Sequence, residues 1–242
     1  MGPYTFIHKV TCESTMDEVF SWLNDHLTGS CLIMADRQTK GRGRRGRSWE
    51  TLEGNLSFSL GFWIAAHIED FSVLSFVAAL AAGDTLRTLC PGVNIGYKWP
   101  NDILIQGKKI AGILIETHEK TETRAIVMGF GVNLKQAPPL NNYPTTSICD
   151  ESELIIPPMT FLKAFIPLFD RYKDLWLKEG FLEISRAWHK SALYVGKTIH
   201  ILTAQGPLAG VFQGMDHRGH LKLEISPQDL RTFSAADIMQ QR

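Results

Sequence analysis

Apolar positions at Met16, Val19, Phe20, Leu23 and Leu27 recur at helical spacing behind a Thr15-x-x-Glu18 capping-box pattern, which predicts a helix opening just after Ser14 or Thr15 and closing at Gly29. The period then shortens. Runs of β character span 31–35 and 55–62, and the Arg/Gly-rich segment between them has no apolar period, so it reads as a long loop. From Phe71 the chain is nearly apolar as far as Ala82, and the segment to Leu89, closed by Pro91-Gly92, reads as a buried helix. Strands are predicted near 95–99, 103–105, 109–117 and 123–132, with Gln106-Gly107-Lys108 as a tight turn. Strands joined by so few residues pair only antiparallel, because a parallel crossover needs a dozen or more, so the middle of the chain reads as a meander.

Pro138-Pro139 and Asn141 to Pro144 mark a further loop. Phe161, Leu162, Phe165, Ile166, Phe169 and Tyr172 then share one helical face, with Pro167 as a candidate kink and an end near Lys190. Beyond Lys197 short β runs return at 198–202, 208–215, 221–225 and 231–233, punctuated by Gly206, Gly214 and Gly219, which reads as a separate small β barrel. The pattern as a whole is α+β.

At 242 residues, 44% hydrophobic and 21% charged, the chain has the composition of a soluble globular protein. Twenty-five Lys plus Arg balance twenty-five Asp plus Glu, so no bulk field draws the molecule onto nucleic acid or an anionic membrane, and any cationic function is local. Cys12, Cys31, Cys90 and Cys149 form no CxxC pair, and the N-terminus lacks the basic start, apolar core and small-residue cleavage site of a signal peptide. A cytoplasmic protein without structural zinc is expected. The longest nearly apolar stretch, 71–82, falls short of the roughly 20 residues of a bilayer span, so no membrane association is expected.

Against that neutral background, Lys40, Arg42, Arg44, Arg45 and Arg47 crowd five cations into eight residues, interleaved with Gly41, Gly43 and Gly46. Glycines admit close approach of backbone N–H groups, and arginine offers planar bidentate donors for carboxylate or phosphate oxygens. The segment calls for an anion, and unbound its cations repel, so the loop is expected to be mobile when empty and to order on ligand. The competing reading is a solvated basic loop or an RG-type nucleic-acid segment. A second group, Lys98-Trp99-Pro100-Asn101-Asp102 followed by Lys109-Ile-Ala-Gly-Ile113, offers hard oxygen ligands for Mg²⁺ and a lysine beside small residues. Its bland alternative is a strand pair with snorkelling lysines. A third, Gly129-Phe130-Gly131-Val132-Asn133, places alternating glycines in a buried strand, where something packs on the backbone or a bulge interrupts the ladder.

Together these segments closely resemble the biotin protein ligases, which attach biotin to a lysine of a carrier domain. The resemblance spans nearly the whole chain and rests on GRGRRGR at 41–47 with Trp49 after it, KWPND at 98–102, KIAGILIE at 109–116 and GxGxN at 129–133. It implies a central mixed, mainly antiparallel sheet flanked by helices, akin to class II synthetases, in a catalytic domain over 1–190, with an SH3-like β barrel over 191–242. The implied reaction has two steps. Biotin and ATP give biotinyl-5′-AMP and pyrophosphate, with Mg²⁺ assisting, and the lysine of a biotin carboxyl carrier protein domain then attacks the mixed anhydride.

Matching positions imply that Ser14, Thr15, Gln38, Gly41, Arg42, Arg44, Lys109, Gly112, Gly129 and Gly131 receive biotin. They likewise imply that Arg44, Arg45, Arg47, Trp49, Lys98, Asn101, Asp102, Lys109 and Asn133 receive ATP or the adenylate. Lys109, Arg44 and Asp102 are the implied catalytic residues, with Lys109 on the α-phosphoryl transition state and Asp102 the implied Mg²⁺ ligand beside substrate phosphates. The chain departs from the family at Met16, where Asn is usual, and at Thr145, where some relatives stack adenine on Trp; Tyr143 is the candidate substitute. Only 13 residues precede Ser14, where repressor-type relatives carry a helix-turn-helix domain, so a ligase without DNA binding is expected. The sequence leaves a homodimer open. The rival readings are a lipoate or octanoyl ligase or transferase on the same scaffold and a non-catalytic nucleic-acid-binding protein. Gly196-Lys197-Thr198 mimics the end of a P-loop, but Ser191 stands where the first glycine belongs.

Overall fold

The computed structural model describes residues 2–65, 68, 71–120, 122–139 and 143–239. The predicted loop residues Asn141 and Asn142 lie outside these. The chain opens with strand β1 (Thr5–Cys12), which the sequence reading lacks, then helix α1 (Thr15–Asp25) and strand β2 (Ser30–Gln38). β1 and β2 pair parallel, with α1 as the crossover. Then follow β3 (Leu56–Ala65), α2 (Leu74–Leu89), β4 (Ile95–Lys98), β5 (Asp102–Ile105), β6 (Lys108–Glu119) and β7 (Thr123–Val132). These strands form one seven-stranded mixed sheet in the order β1-β2-β3-β7-β6-β5-β4, antiparallel except for its first pair. The meander expected from the short connections is therefore present.

The sheet is covered on both faces. On one, Met16, Val19 and Leu23 of α1 meet Cys31, Ile33, Ala125 and Val127. On the other lies the larger core, built from α2 and the helices that follow β7: α3 (Ile148–Ser152), α4 (Pro158–Glu179) and α5 (Phe181–His189). By length and composition 71–89 would span a membrane, yet it is largely buried inside the protein between sheet and α4. Phe161, Phe165 and Phe169 of α4 are fully buried, and Phe165 stands edge-on to Phe58 and Phe130. α4 runs unbroken through Pro167. The single helix expected up to Lys190 is instead two, because Gly180 takes φ +75°, a conformation that glycine adopts without a Cβ penalty and that interrupts the helical backbone.

The remainder is a five-stranded antiparallel sheet, β8 (Thr198–Thr203), β9 (Gly206–Met215), β10 (Leu221–Ser226), β11 (Asp229–Phe233) and β12 (Asp237–Ile238), in the order β11-β10-β9-β8-β12. Its apolar face continues the main core through Ile199, Ile201, Phe212, Leu221 and Leu223. Trp99 Nε1 donates to the Gly219 carbonyl at 2.9 Å, tying the end of β4 to this sheet. The short β12 thereby comes to lie over the Arg/Gly loop, although 190 residues of chain separate Asp237 from Arg47.

Candidate active site

The strand ends and loops named above surround a cavity of about 790 Å³. One side is apolar with polar tips. Ser14 ends an extended stretch (φ −152°, ψ 131°) at the start of α1, but its side chain makes no capping hydrogen bond and instead lines the cavity. Thr15 supplies the first N–H of α1, one of the donors a helix leaves without an internal partner, and Gln38 Oε1 accepts it at 2.8 Å and accepts Thr15 Oγ1 at 3.0 Å. Thr15 Oγ1 also meets Ser59 Oγ at 2.7 Å, while Gln38 Nε2 donates to Thr51 Oγ1 at 3.3 Å. The end of β2 and the start of α1 are thus locked to β3 by side chains that face the cavity. Met16, Leu114 and Phe130 supply its apolar wall.

The glycines of β7 have a plain cause. Its register against β3 and β6 is continuous, so no bulge is present. A Cβ on Gly131 would lie 2.0 Å from Trp49 Cε2, and one on Gly129 2.7 Å from Met16 Sδ. The missing side chains make room for an indole and a thioether from elsewhere in the chain. Met16 is therefore an apolar filler over Gly129.

The opposite side of the cavity is ionic. Lys109 Nζ and Asp102 Oδ1 form a pair at 2.6 Å, both largely buried, and Lys109 Nζ lies 5.8 Å from the Trp49 ring centroid. Asn101 donates to the Ile113 carbonyl at 2.5 Å, and its Oδ1 faces Arg44 Nη1 at 3.4 Å. Lys98 is buried with its Nζ 4.2 Å from the centroid of Tyr143; burial pulls its pKa down to about 8, Asp102 acting in the other direction. Burial likewise lowers the pKa of Arg44, against the pull of Asp237 and Asp102. Residues 144–146 run beside the start of β6, with Lys109 N donating to the Pro144 carbonyl at 2.8 Å, and this places Tyr143 over Lys98. Burial raises the Tyr143 pKa, and its hydroxyl is enclosed without a protein partner.

The arginine loop forms a 3₁₀ turn at Arg44–Gly46, with Arg45 at φ 56°. Gly43 N donates to Arg47 O at 2.7 Å and Trp49 N to Gly41 O at 2.9 Å. The repulsion expected among its cations is met by protein carboxylates. Arg42 forms a bidentate pair with Asp17, 2.7 Å for each bond, and a third contact with Glu116 at 3.1 Å; these bonds, Asp17 foremost, hold its pKa above the ordinary arginine value. Arg44, Arg45 and Arg47 converge on Asp237.

Residues 8–133 match the model of the biotin/lipoate A/B protein ligase family. The chain belongs to that family. A biotin–[acetyl-CoA-carboxylase] ligase of Paracoccus denitrificans is 35% identical over 219 residues, which cover 88% of this chain and 91% of the relative. A bifunctional ligase/repressor BirA of Bacillus subtilis is 31% identical over 98% of this chain and 74% of its own length. Among solved structures, the biotin protein ligase of Aquifex aeolicus in complex with biotin and ATP superposes with a TM-score of 0.83, covering 98% of this chain and 99% of that one at 23% identity, so the fold is shared.

Of the residues expected in the ligase site, Ser14, Thr15, Gln38, Arg42, Arg44, Arg47, Trp49, Lys98, Asn101, Asp102, Lys109, Gly112, Gly129, Gly131 and Asn133 all line the one cavity. Two expected residues do not. Gly41 is buried at the base of the loop, where a Cβ would meet the Trp49 carbonyl at 2.4 Å, so it closes the loop. Arg45 turns outward to the Leu202 carbonyl at 3.5 Å and to Asp237. Asn133 is committed to the frame, donating to the Thr146 carbonyl at 3.1 Å. Sequence reasoning missed Asp17, Glu116 and Asp237, the carboxylates that partner the loop. Asp17 reads in sequence as a first-turn helix acid and Glu116 ends the KIAGILIE segment, while Asp237 carries no local signal.

Among the described residues no cluster of three or more His, Cys, Asp or Glu could hold a metal by itself. Asp102, with the Asn101 amide beside it, offers hard oxygen donors in the cavity that could help to hold a Mg²⁺, which needs only one or two carboxylates from a protein.

Proposed function

We propose that this chain is an ATP-dependent biotin protein ligase that joins biotin to AMP and then passes it to a lysine of a biotin carboxyl carrier protein domain. The observation that carries the reading is that the polar Ser14, Thr15 and Gln38, the apolar Met16 and the cationic Arg44, Arg47 and Lys109 all line one cavity. In the slot, Thr15, Gln38 and Ser14 address the ureido ring, and Met16, Trp49 and Leu114 enclose the aliphatic chain. That chain delivers its carboxylate toward Lys109. A carboxylate oxygen then attacks the α-phosphorus of ATP, the Pα–O bond to the leaving pyrophosphate breaks, and the mixed anhydride remains.

Two anions must meet for this step, and the protein's part is to cancel their repulsion with donors already aimed at the phosphates. Lys109 exchanges Asp102 for an α-phosphate oxygen, while Arg44 and Arg47 take the departing phosphates. Mg²⁺ held by Asp102 and the phosphates would offset the charge of the leaving group. In the second step the carrier lysine, as a free amine, attacks the biotinyl carbonyl and AMP leaves. We assign 191–242 to a companion domain, of which Leu202, Asp237, Ile238 and Met239 close the phosphate end of the cleft. Tyr143, against Lys98, is the candidate surface for adenine.

The test is incubation with ATP, Mg²⁺, biotin and a carrier domain, read by mass spectrometry. The expected result is one biotinyl adduct on one lysine, and Lys109→Ala lowers adenylate formation at least a hundredfold. Transfer of lipoate but not biotin would move the assignment to the rival enzyme. Salt-dependent DNA binding without transfer would remove the assignment altogether.

A further inference from the structure

Asp237 sits on β12, in the C-terminal sheet, yet its carboxylate is the common partner of three arginines in the loop that follows β2. Arg44 Nη1 lies 3.7 Å from Oδ1 and Arg45 Nη1 3.5 Å from Oδ2, while Arg47 Nη2 donates directly to Oδ2. The carboxylate is held in place from its own side. Asp237 and Ile238 pair with Leu202 and Ile201 of β8, and Met239 N donates to the His200 carbonyl at 2.7 Å. Three-quarters of the side chain is shielded from solvent, and together with Leu202, Ile238 and Met239 it lines the same cavity as Lys109.

We propose that Asp237 is a resident counter-ion of the phosphate subsite, pairing before the nucleotide binds with the arginines that receive its β- and γ-phosphates and later free pyrophosphate. The inference rests on the ligase reading above for the identity of that nucleotide. The chemistry is one of exchange. A guanidinium fork offers the same donors to a carboxylate and to a phosphate, so Arg44 and Arg47 serve one or the other, and the polyphosphate displaces Asp237. When pyrophosphate leaves, Asp237 takes the arginines back.

An anchoring role for Asp237 does not account for the loop, because the loop is closed by bonds of its own. Gly43 N to Arg47 O, Arg47 N to Arg44 O and Trp49 N to Gly41 O need no contribution from β12, and Arg42 is fixed separately by Asp17 and Glu116. Asp237 is a positioning residue that acts through the arginines: it keeps three like charges together before a polyphosphate binds and sets how much affinity that polyphosphate must bring to enter.

The experiment titrates inorganic pyrophosphate, with neither biotin nor ATP present, into the full chain and into Asp237→Asn, Asp237→Ser and Asp237→Glu, after thermal melts have shown which variants are folded. With the competing charge removed, the Asn and Ser variants bind pyrophosphate about 3- to 10-fold more tightly, the range expected for one partly shielded like charge, and the Glu variant stays near the wild type. In adenylation the KM for ATP falls by a similar factor and the Kd for biotin is unchanged. Equal or weaker pyrophosphate binding by folded Asn and Ser variants overturns the proposal, as does a gain shared by the Glu variant. The binding arm needs no turnover, so failure of adenylation would remove the ligase reading while leaving the ion exchange to be judged by pyrophosphate alone.

Discussion

Replacing Gly131 with alanine adds one methyl group where the structure leaves no room for it. The new Cβ would lie 2.0, 2.3 and 2.5 Å from Cε2, Cζ2 and Nε1 of Trp49. Carbon atoms rest at about 3.5 to 4.0 Å, so a retreat of roughly 1.5 Å is required of one partner. The strand cannot supply it. Gly131 is paired on both sides, with Ser57 of β3 and Gly112 of β6, in an unbroken ladder. The indole must therefore swing off the strand, and because Trp49 N is bonded to the Gly41 carbonyl, the base of the arginine loop moves with it. Overpacking of this kind costs about 1–3 kcal/mol. Carried into the liganded state, that is a loss of roughly 5- to 150-fold in nucleotide affinity, at 1.4 kcal/mol for each factor of ten. The assay is a double-mutant cycle on the KM for ATP with Trp49→Ala: once the ring is gone, Gly131→Ala should cost less than about 0.5 kcal/mol. An undiminished penalty in the Trp49→Ala background, or no penalty in the wild type, would show that Gly131 is not there for the indole.

Two further outcomes follow from the site. Lys98 is nearly fully buried with its pKa lowered from 10.5 to about 8 by that burial, so from pH 8 to 10.5 the unfolded chain holds a proton that the folded chain lacks. Stability conferred by this position should therefore rise with pH across that window, by on the order of 3 kcal/mol relative to Lys98→Met, in chelator-treated samples unfolded with urea; parallel pH profiles for the two proteins would refute it. Gln38→Ala strips Thr15 of the acceptor for both its N–H and its hydroxyl and should lower stability by about 1–3 kcal/mol and biotin affinity about tenfold or more. Gln38→Glu keeps that acceptor and should restore most of the stability in thermal melts; a stability loss equal to that of Gln38→Ala would contradict the role.

Much of this architecture is legible because the helices and the central strands carry strong, uniform periods. α2 is nearly apolar as far as Ala82 because sheet and α4 enclose that part of it, and β6 and β7 read as strands because both faces of the sheet are covered. β1 is not legible for the converse reason. It is an edge strand, mostly exposed, with Val10 74% accessible and Phe6 beside Ile7, so no alternation marks it. Its parallel pairing with β2 depends on α1 passing across the sheet, and local strand spacing does not report such a crossover. The break at Gly180 depends on a single positive φ, and the apolar period on either side of it conceals the change of axis. Within the site, residue density gives away the arginine loop and the segment from Lys98 to Asp102. The reason for Gly129 and Gly131 is written elsewhere, in Met16 and Trp49.

The same division explains the charge. The sequence has as many acids as bases, and composition alone cannot tell whether the loop cations are free or answered. The fold answers them unequally. Arg42 has two carboxylates to itself, Lys109 has one, and Arg44, Arg45 and Arg47 share a single carboxylate. Charge balance is thus nearest to complete where the biotin carboxylate is proposed to enter and least complete toward the phosphates, the direction in which a polyanion carrying several negative charges would be drawn. Such a gradient aims attraction at the nucleotide without giving the molecule a net charge that would attract polyanions at large. On the proposed mechanism it also places these partly compensated cations where charge develops as pyrophosphate departs, and stabilisation at that point accelerates the chemical step instead of merely tightening the ground state.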